Sequence, residues 1–188
     1  MSISKNGRLV VVVGPSGAGK DSILKAAQKH FQTNPRVEFV RRVITRECDP
    51  ASEIHDSVSE PVFFEKQTAG DFAVWWQANG LHYGLPVSVK QGCDAGQLMV
   101  ANGSRAAIPD IRDKFPGQLV VVHITATTEI LSQRLENRSR EAAADIAKRL
   151  QRNQTIEPLT GCDVLTIDNS GERILAIQHF IALLDSLH

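Results

Sequence analysis

Runs of apolar, β-branched residues alternate along the chain with segments whose apolar positions recur every three or four residues. Arg8 to Val13 is a nearly continuous apolar run, as a strand buried on both faces requires, and Asp21 to Phe31 places Ile23, Leu24, Ala27 and Phe31 on one side of a helix. Val37 to Ile44, Gln97 to Ala101 and Gln118 to Thr125 read as further strands, with Asp163 to Ile167 a short last one. Ser104 to Phe115, Thr127 to Asn137, the alanine-rich Glu141 to Arg152, and Glu172 to Leu187 read as helices. Alternation of this kind predicts an α/β fold, a parallel sheet with helices on both faces.

One stretch interrupts the pattern. From about 47 to 85 the chain carries Pro50, Pro61, Gly70, Gly80 and Gly84, with short strand-like runs at Val62 to Phe64 and Phe72 to Trp76. It reads as a small inserted substrate-binding subdomain within a single domain whose core is 1–46 and 86–188. Trp75 and Trp76 alternate, one on each face, and are expected to be core. The arginine-bearing segment at about 135–153 is expected to form a helical lid.

Composition narrows the class. The chain has 188 residues, 21 basic and 21 acidic side chains and a formal net charge of zero. Such a balance speaks against a broadly basic nucleic-acid binder, yet leaves room for a local basic pocket. A chain of this length needs no disulfide or metal staple. The longest apolar runs fall far short of the roughly 20 residues of a membrane span, and the N-terminal one is too short for a secretory signal. Cys48, Cys93 and Cys162 are widely spaced with no CxxC pair, so reduced thiols and a cytoplasmic location are expected.

The strongest chemical signal is Gly14-Pro15-Ser16-Gly17-Ala18-Gly19-Lys20-Asp21-Ser22, between the first strand and the first helix. Glycines let successive backbone N–H groups curl around phosphate oxygens, the helix N-terminus faces the same anion, and Lys20 adds a point charge. The loop therefore predicts ATP binding in a P-loop NTPase core. Where such loops carry Ser or Thr after the lysine to ligate Mg²⁺, this one has Asp21, followed by Ser22. Both are candidate Mg²⁺ ligands, since a carboxylate is a hard oxygen donor. Asn102, in place of an acidic residue at the end of its strand, puts a metal role for that strand in doubt.

The GPSGAGK loop, an inserted subdomain carrying Gly80-Leu81-His82-Tyr83-Gly84, and an arginine-bearing lid together resemble the guanylate kinase group of P-loop kinases. Two positions depart from guanylate kinases themselves: Val74 stands where a guanine-reading Glu is expected, and Asp49 where a second phosphate-binding arginine is expected. GPSGAGKDS (14–22), RRVITR (41–46), ANGLHYG (78–84), NGSR (102–105) and RLENRSRE (134–141) more closely resemble the ribose 1,5-bisphosphate phosphokinases of bacterial phosphonate catabolism. That resemblance implies transfer of the ATP γ-phosphoryl group to the 1-phosphate of the sugar, giving 5-phospho-α-D-ribose 1-diphosphate (PRPP) and ADP.

By the resemblance, Lys20, Arg138 and Arg149 carry the catalysis. Residues 14–22 bind Mg²⁺-ATP. Arg42, Arg46, Glu53, Tyr83 and Arg105 bind the acceptor. Arg42, Arg46 and Arg105 follow strand ends, where ligands of open α/β sheets bind. Arg134, one turn before Arg138, is a weaker lid candidate. His55 and His82 are candidates for ribose hydroxyls, with an ordinary surface position as the alternative. Asp168-Asn169-Ser170-Gly171 reads either as a loop beside the adenine or as a simple turn. Expected partners are ATP and a small phosphorylated sugar, with no nucleic acid or membrane; a homodimer is allowed for. Two alternatives stand beside this reading: a nucleoside monophosphate kinase and a non-catalytic guanylate-kinase-like interaction module.

Overall fold

Five consecutive residues, Leu9 to Val13, have no solvent exposure, and the rest of the molecule is arranged around the strand they form, β1 (Arg8–Val13). The computed structural model describes residues 7–47, 55–136 and 162–187. Successive side chains of a strand point to opposite faces. Val10 and Val12 therefore pack with Ile23 and Ala27 of α1 (Lys20–His30) and with Phe180 and Leu184 of α6 (Arg173–Leu187). Leu9, Val11 and Val13 turn the other way.

The main sheet has five strands in the order β2 (Val37–Phe39), β7 (Leu98–Asn102), β1, β8 (Leu119–Thr125), β9 (Asp163–Asp168). All its pairings are parallel, so both faces must be covered and the strands read as apolar runs. A second, mixed sheet has the order β4 (Asp56–Ser57), β3 (Val43–Ile44), β6 (Leu81–Pro86), β5 (Phe72–Ala78). Its Trp76, Tyr83 and Leu85 share one core with Leu9, Val11 and Val13, with Val89 and Cys93 of α3 (Ser88–Asp94), and with Ile108 and Ile111 of α4 (Ile108–Lys114). Continuity of this apolar layer fixes the small sheet to the large one. α2 (Glu60–Thr68) and α5 (Thr128–Glu136) complete the described helices.

The expected α/β class with a parallel sheet and a smaller inserted unit is what the structure shows, and some local expectations change. Val37 to Ile44 is not one strand. Its first part pairs with β7, then the chain leaves the main sheet, and Val43–Ile44 pairs with Gly84 and Tyr83. Val62 to Phe64 lies in a helix: Pro61 sits in its first turn, where a missing N–H costs nothing, and of the apolar triplet Phe63 is buried while Val62 and Phe64 stay exposed. Trp75 is 40% exposed, because the outer face of β5 is uncovered there, whereas Trp76 is core as expected.

Among the described residues Cys93 and Cys162 are free, and burial pushes the Cys93 thiol up to about 11, leaving it protonated and inert. Cys48 lies outside the described residues. No described helix is long and apolar enough to cross a membrane.

Phe63 holds α2 onto the small sheet, fully buried and stacked on Phe72 at 4.7 Å between ring centroids. Phe63→Ala should therefore cost about 3–5 kcal/mol of stability, measured as a shift of the urea midpoint. A loss below about 1 kcal/mol would mean that α2 is not anchored through this side chain.

Candidate active site

Where β1 ends, the chain turns through Gly14 (φ 149°), Gly17 (φ 86°) and Gly19 (φ 91°) before α1 begins. A Cβ on Gly14 would stand 2.2 Å from the carbonyl oxygen of Ile124, and one on Gly19 2.4 Å from Asn169 Nδ2. Conformation and space thus both demand glycine at these two points. Pro15, Ser16 and Ala18 complete the loop, closed by Ala18 N–H donating to Pro15 O at 3.3 Å. The helix starts at a left-handed Gly19 with no side-chain cap, so the N–H groups of its first turn, at Lys20, Asp21 and Ser22, are available to an anion. Lys20 Nζ donates to Gly14 O at 2.8 Å and Pro15 O at 3.0 Å, which holds the ammonium against the loop.

Asn169 braces the loop from behind. It is 1% exposed and its Nδ2 donates to Ala18 O at 2.7 Å. Arg134 spans the same gap, donating from one terminal nitrogen to Gly17 O at 3.4 Å and from the other to Asn169 O at 2.9 Å. Ser170 continues the connection: its Oγ accepts from Thr127 N–H at 2.9 Å and donates to Asp168 at 2.6 Å. The 168–171 segment is therefore not a free turn but a strut between the phosphate loop and the start of α5. Periodicity carries no sign of this, since a single Asn in a turn-forming cluster looks like any other turn residue.

Asp21 faces the adjacent strand. Asn102, at the end of β7 and nearly buried, donates from Nδ2 to Asp21 Oδ1 at 3.4 Å. Beyond it Arg105 opens a short 3₁₀ turn (Arg105–Ala107), and burial draws its guanidinium below the ordinary value. His123, paired in register with Val13, was not expected at the site. Burial lowers its pKa first, and the charges of Arg105 and Lys20 lower it further. Its Nε2 is buried with no hydrogen-bond partner among the described residues. These influences place the phosphate loop, Arg105 and His123 in one neighbourhood.

Arg42 and Arg46 lie on either side of β3, on the small sheet. Arg42 is buried, with its guanidinium carbon 5.1 Å above the centre of the Tyr83 ring. Tyr83 stacks in turn on Trp76, centroids 5.5 Å apart and planes at 7°. A desolvated guanidinium over an aromatic face is stabilised by the ring quadrupole. Arg46 is held by the buried His55: an arginine nitrogen lies 3.5 Å from Nδ1, and Nε2 lies 3.4 Å from Arg46 O. A guanidinium only donates, so Nδ1 accepts and the proton sits on Nε2, directed at the carbonyl. Ser57 Oγ donates to the same carbonyl at 2.5 Å.

Of the two readings for the histidines, an ordinary surface position fits neither, since both are buried. His55 braces Arg46, and His82 packs against Phe63 and Phe64 within 3.8 Å of Glu60. Val74 is core, as its apolar character requires. Glu53, Arg138 and Arg149, with Asp49 and most of the expected lid, lie outside the described residues.

No family model matches the chain. It is 46% identical over 187 residues to "Ribose 1,5-bisphosphate phosphokinase PhnN" of Rhizobium etli (strain CIAT 652), covering 98% of this chain and 92% of the relative. It is 48% identical over 166 residues to the protein of the same name from Brucella melitensis biotype 2 (strain ATCC 23457), covering 88% and 85%. A solved structure of guanylate kinase from Anaplasma phagocytophilum superposes with a TM-score of 0.66 at 16% identity, covering 97% of this chain and 86% of that one. A gluconokinase from Sinorhizobium meliloti 1021 gives 0.55, also at 16% identity. The solved structures establish the shared fold.

The depressed pKa of His123 fixes a pH dependence. Its neutral form is favoured in the folded state, so its contribution to stability is present above the unfolded value of about 6.5 and is lost as pH falls through the lower folded value. The stability difference between the protein and His123→Gln should therefore move against the protein as pH is lowered from about 7.5 to 5, read from urea midpoints across that range. A difference independent of pH would show that His123 does not titrate below its ordinary value.

Proposed function

The chain belongs to the ribose 1,5-bisphosphate phosphokinase family, and we infer that it catalyses the reaction this name states, ATP-dependent phosphorylation of ribose 1,5-bisphosphate. It is an enzyme, a phosphotransferase. The identity of 41–48% to phosphokinases of that name, spread in several of them over nearly the whole chain, carries this reading. The described residues supply a coherent chemistry for it.

An oxygen of the sugar 1-phosphate, already ionised at neutral pH, attacks the γ-phosphorus of ATP. The bond from that phosphorus to the β–γ bridging oxygen breaks, ADP leaves with the electron pair, and 5-phospho-α-D-ribose 1-diphosphate remains. No proton has to be removed from the nucleophile, so no general base is needed, and catalysis rests on positioning and neutralisation of charge. The phosphate loop, residues 14–22, cradles the ATP phosphates, with Lys20 exchanging its carbonyl partners for phosphate oxygens. Arg42, Arg46, Tyr83 and Arg105 serve the acceptor, joined by Glu53. Arg138 and Arg149 act on the transferring group. Arg134 is assigned instead to holding the loop and the 168–171 segment together.

The oxygen donors present fit Mg²⁺, which keeps several waters and takes substrate phosphates alongside one or two carboxylates. Asp21 would hold it, directly or through water, with Ser22 beside it. When bound, the ion would neutralise charge on the β- and γ-phosphates. A cytoplasmic location, and a place in phosphonate breakdown, complete the proposal.

The nucleoside monophosphate kinase reading is weaker, because Val74 sits in the core and offers no group to read a guanine edge. A non-catalytic module is weaker still, with the lysine and glycines of the loop intact.

With ATP and Mg²⁺, ribose 1,5-bisphosphate should be converted to the diphosphate while GMP and AMP are poor acceptors, followed by ADP release and product analysis. Efficient GMP phosphorylation with no activity on the sugar would overturn the assignment. Lys20→Ala should lower turnover by about 10²–10³-fold or more. Arg46→Ala and Arg105→Ala should mainly raise the acceptor KM, about 10- to 100-fold each for a lost charged hydrogen bond. Unchanged acceptor kinetics in both would remove them from the acceptor site.

A further inference from the structure

In P-loop NTPases the metal side of the site is shared between a hydroxyl on the phosphate loop and a carboxylate on a neighbouring strand. Here both positions depart from that arrangement. The residue after Lys20 is Asp21, and the strand hydrogen-bonded to β1 on the acceptor side, β7, ends in Asn102. The loop thus carries the charge and the strand the neutral group.

The two departures touch each other. β7 pairs in register with β1, Val12 opposite Asn102, so the end of β7 lies beside the start of the phosphate loop. Asn102 is 8% exposed, and its Nδ2 donates to Asp21 Oδ1 at 3.4 Å. A carboxylate in place of the Asn102 amide would put two like charges in contact, whereas the amide offers a donor. A cavity of about 60 Å³ has both side chains on its wall, and an ordered water needs roughly 10–15 Å³ of such space. Among the described residues Asp21 is the only carboxylate on that wall, and Lys25 and Arg41 are also on it, as suits a site shared by a hydrated cation and an anionic phosphate ester.

We propose that the loop and strand positions have exchanged their chemical roles: Asp21 carries the metal-side carboxylate, and Asn102 is a positioning residue that holds it in place through its amide. This rests on the assignment of Asp21 to Mg²⁺. The exchange is reciprocal by construction, since a carboxylate moved from the loop to the end of β7 stays within one contact distance of its original place. Restoring the usual distribution, serine on the loop and aspartate on the strand, should then restore what either change alone disturbs. Asn102→Ala should leave the Asp21 side chain in place without this contact.

The test measures binding of a fluorescent ATP analogue to the full chain, in EDTA and across a Mg²⁺ titration, so that metal dependence is read apart from turnover and from any acceptor. Asp21→Ser should weaken the Mg²⁺-dependent part of binding by about ten- to a hundredfold, the usual range for disturbing a metal shell. Asp21→Ser/Asn102→Asp should regain most of it. Asn102→Ala should raise the Mg²⁺ half-saturation while ATP binding in EDTA stays unchanged, which loss of folding alone would not produce. If Asp21→Ser keeps the Mg²⁺ dependence of the parent, the assignment of Asp21 to the metal fails, and the exchange with it. If Asp21→Ser loses it and the double variant, melting like the parent, does not regain it, the exchange alone is overturned. Should the double variant fold poorly, Asn102→Ala decides: an unmoved Mg²⁺ half-saturation overturns the role of Asn102. The phosphokinase assignment stands or falls separately, on the acceptor panel.

Discussion

Burial of β1 on both faces is the constraint from which the rest of the structure follows. A strand with five successive residues out of contact with water must be flanked by strands on both edges and covered on both sides. α1 and α6 cover one side; α3, α4 and the small sheet cover the other. The chain can then emerge only at the carboxyl end of the strand, where its backbone groups need polar partners. α1 is held by Ile23 and Ala27 against the β1 side chains, so the loop between strand and helix is suspended from two dry anchors. Its open N–H groups are pre-arranged before any phosphate arrives, and pre-arrangement lets such donors act without reorganisation cost.

A second layer of polar contacts keeps that loop from relaxing. Asn169 and Arg134 occupy carbonyls at Gly17 and Ala18, which leaves the N–H groups of the loop for the ligand in the proposed function. Arg134 thereby spends its charge on protein carbonyls. Burial and the charge of Arg173 lower its pKa, a cost that the two hydrogen bonds offset. The loop after β9 and the phosphate loop are one braced unit.

The backbone of this arrangement was legible in the sequence because it rests on local signals. Strand parity, glycine spacing and the lysine before a helix depend on near neighbours along the chain, and those expectations match the structure. Misread elements are those whose state depends on distant partners. Val37 to Ile44 has one uniform pattern, yet its two ends pair with different sheets, a choice set by β7 and β6 rather than by its own residues. Val62 to Phe64 shows no alternation, and only the proline before it and the pocket for Phe63 select helix. At the site, the bracing role of Asn169, the place of His123 and the His55–Arg46 contact are not legible in the sequence for the same reason: the groups involved lie far apart in the chain or across a turn, and no spaced motif links them. In the sequence Asn102 reads only as a missing acid. Its relation to Asp21 is visible only once β7 lies beside β1.

In the proposed function, the acceptor side follows from what a sugar bisphosphate lacks. Such a molecule offers no flat base to stack and no edge with an alternating donor–acceptor code; it offers phosphates at two ends and hydroxyls between them. A site for it therefore needs cations fixed at a set separation rather than a reading face, and an unfixed arginine pays rotamer entropy on binding. The structure fixes its arginines beforehand: Arg42 lies over Tyr83, itself stacked on Trp76, and Arg46 is held by His55. Aromatic and imidazole groups that would recognise a base in a nucleotide site are here used to aim guanidinium groups. On this reading the small sheet is a rigid mount for charge. A chain with 21 acidic and 21 basic side chains can, in that proposal, set fixed arginines against the substrate phosphates without carrying a net positive charge.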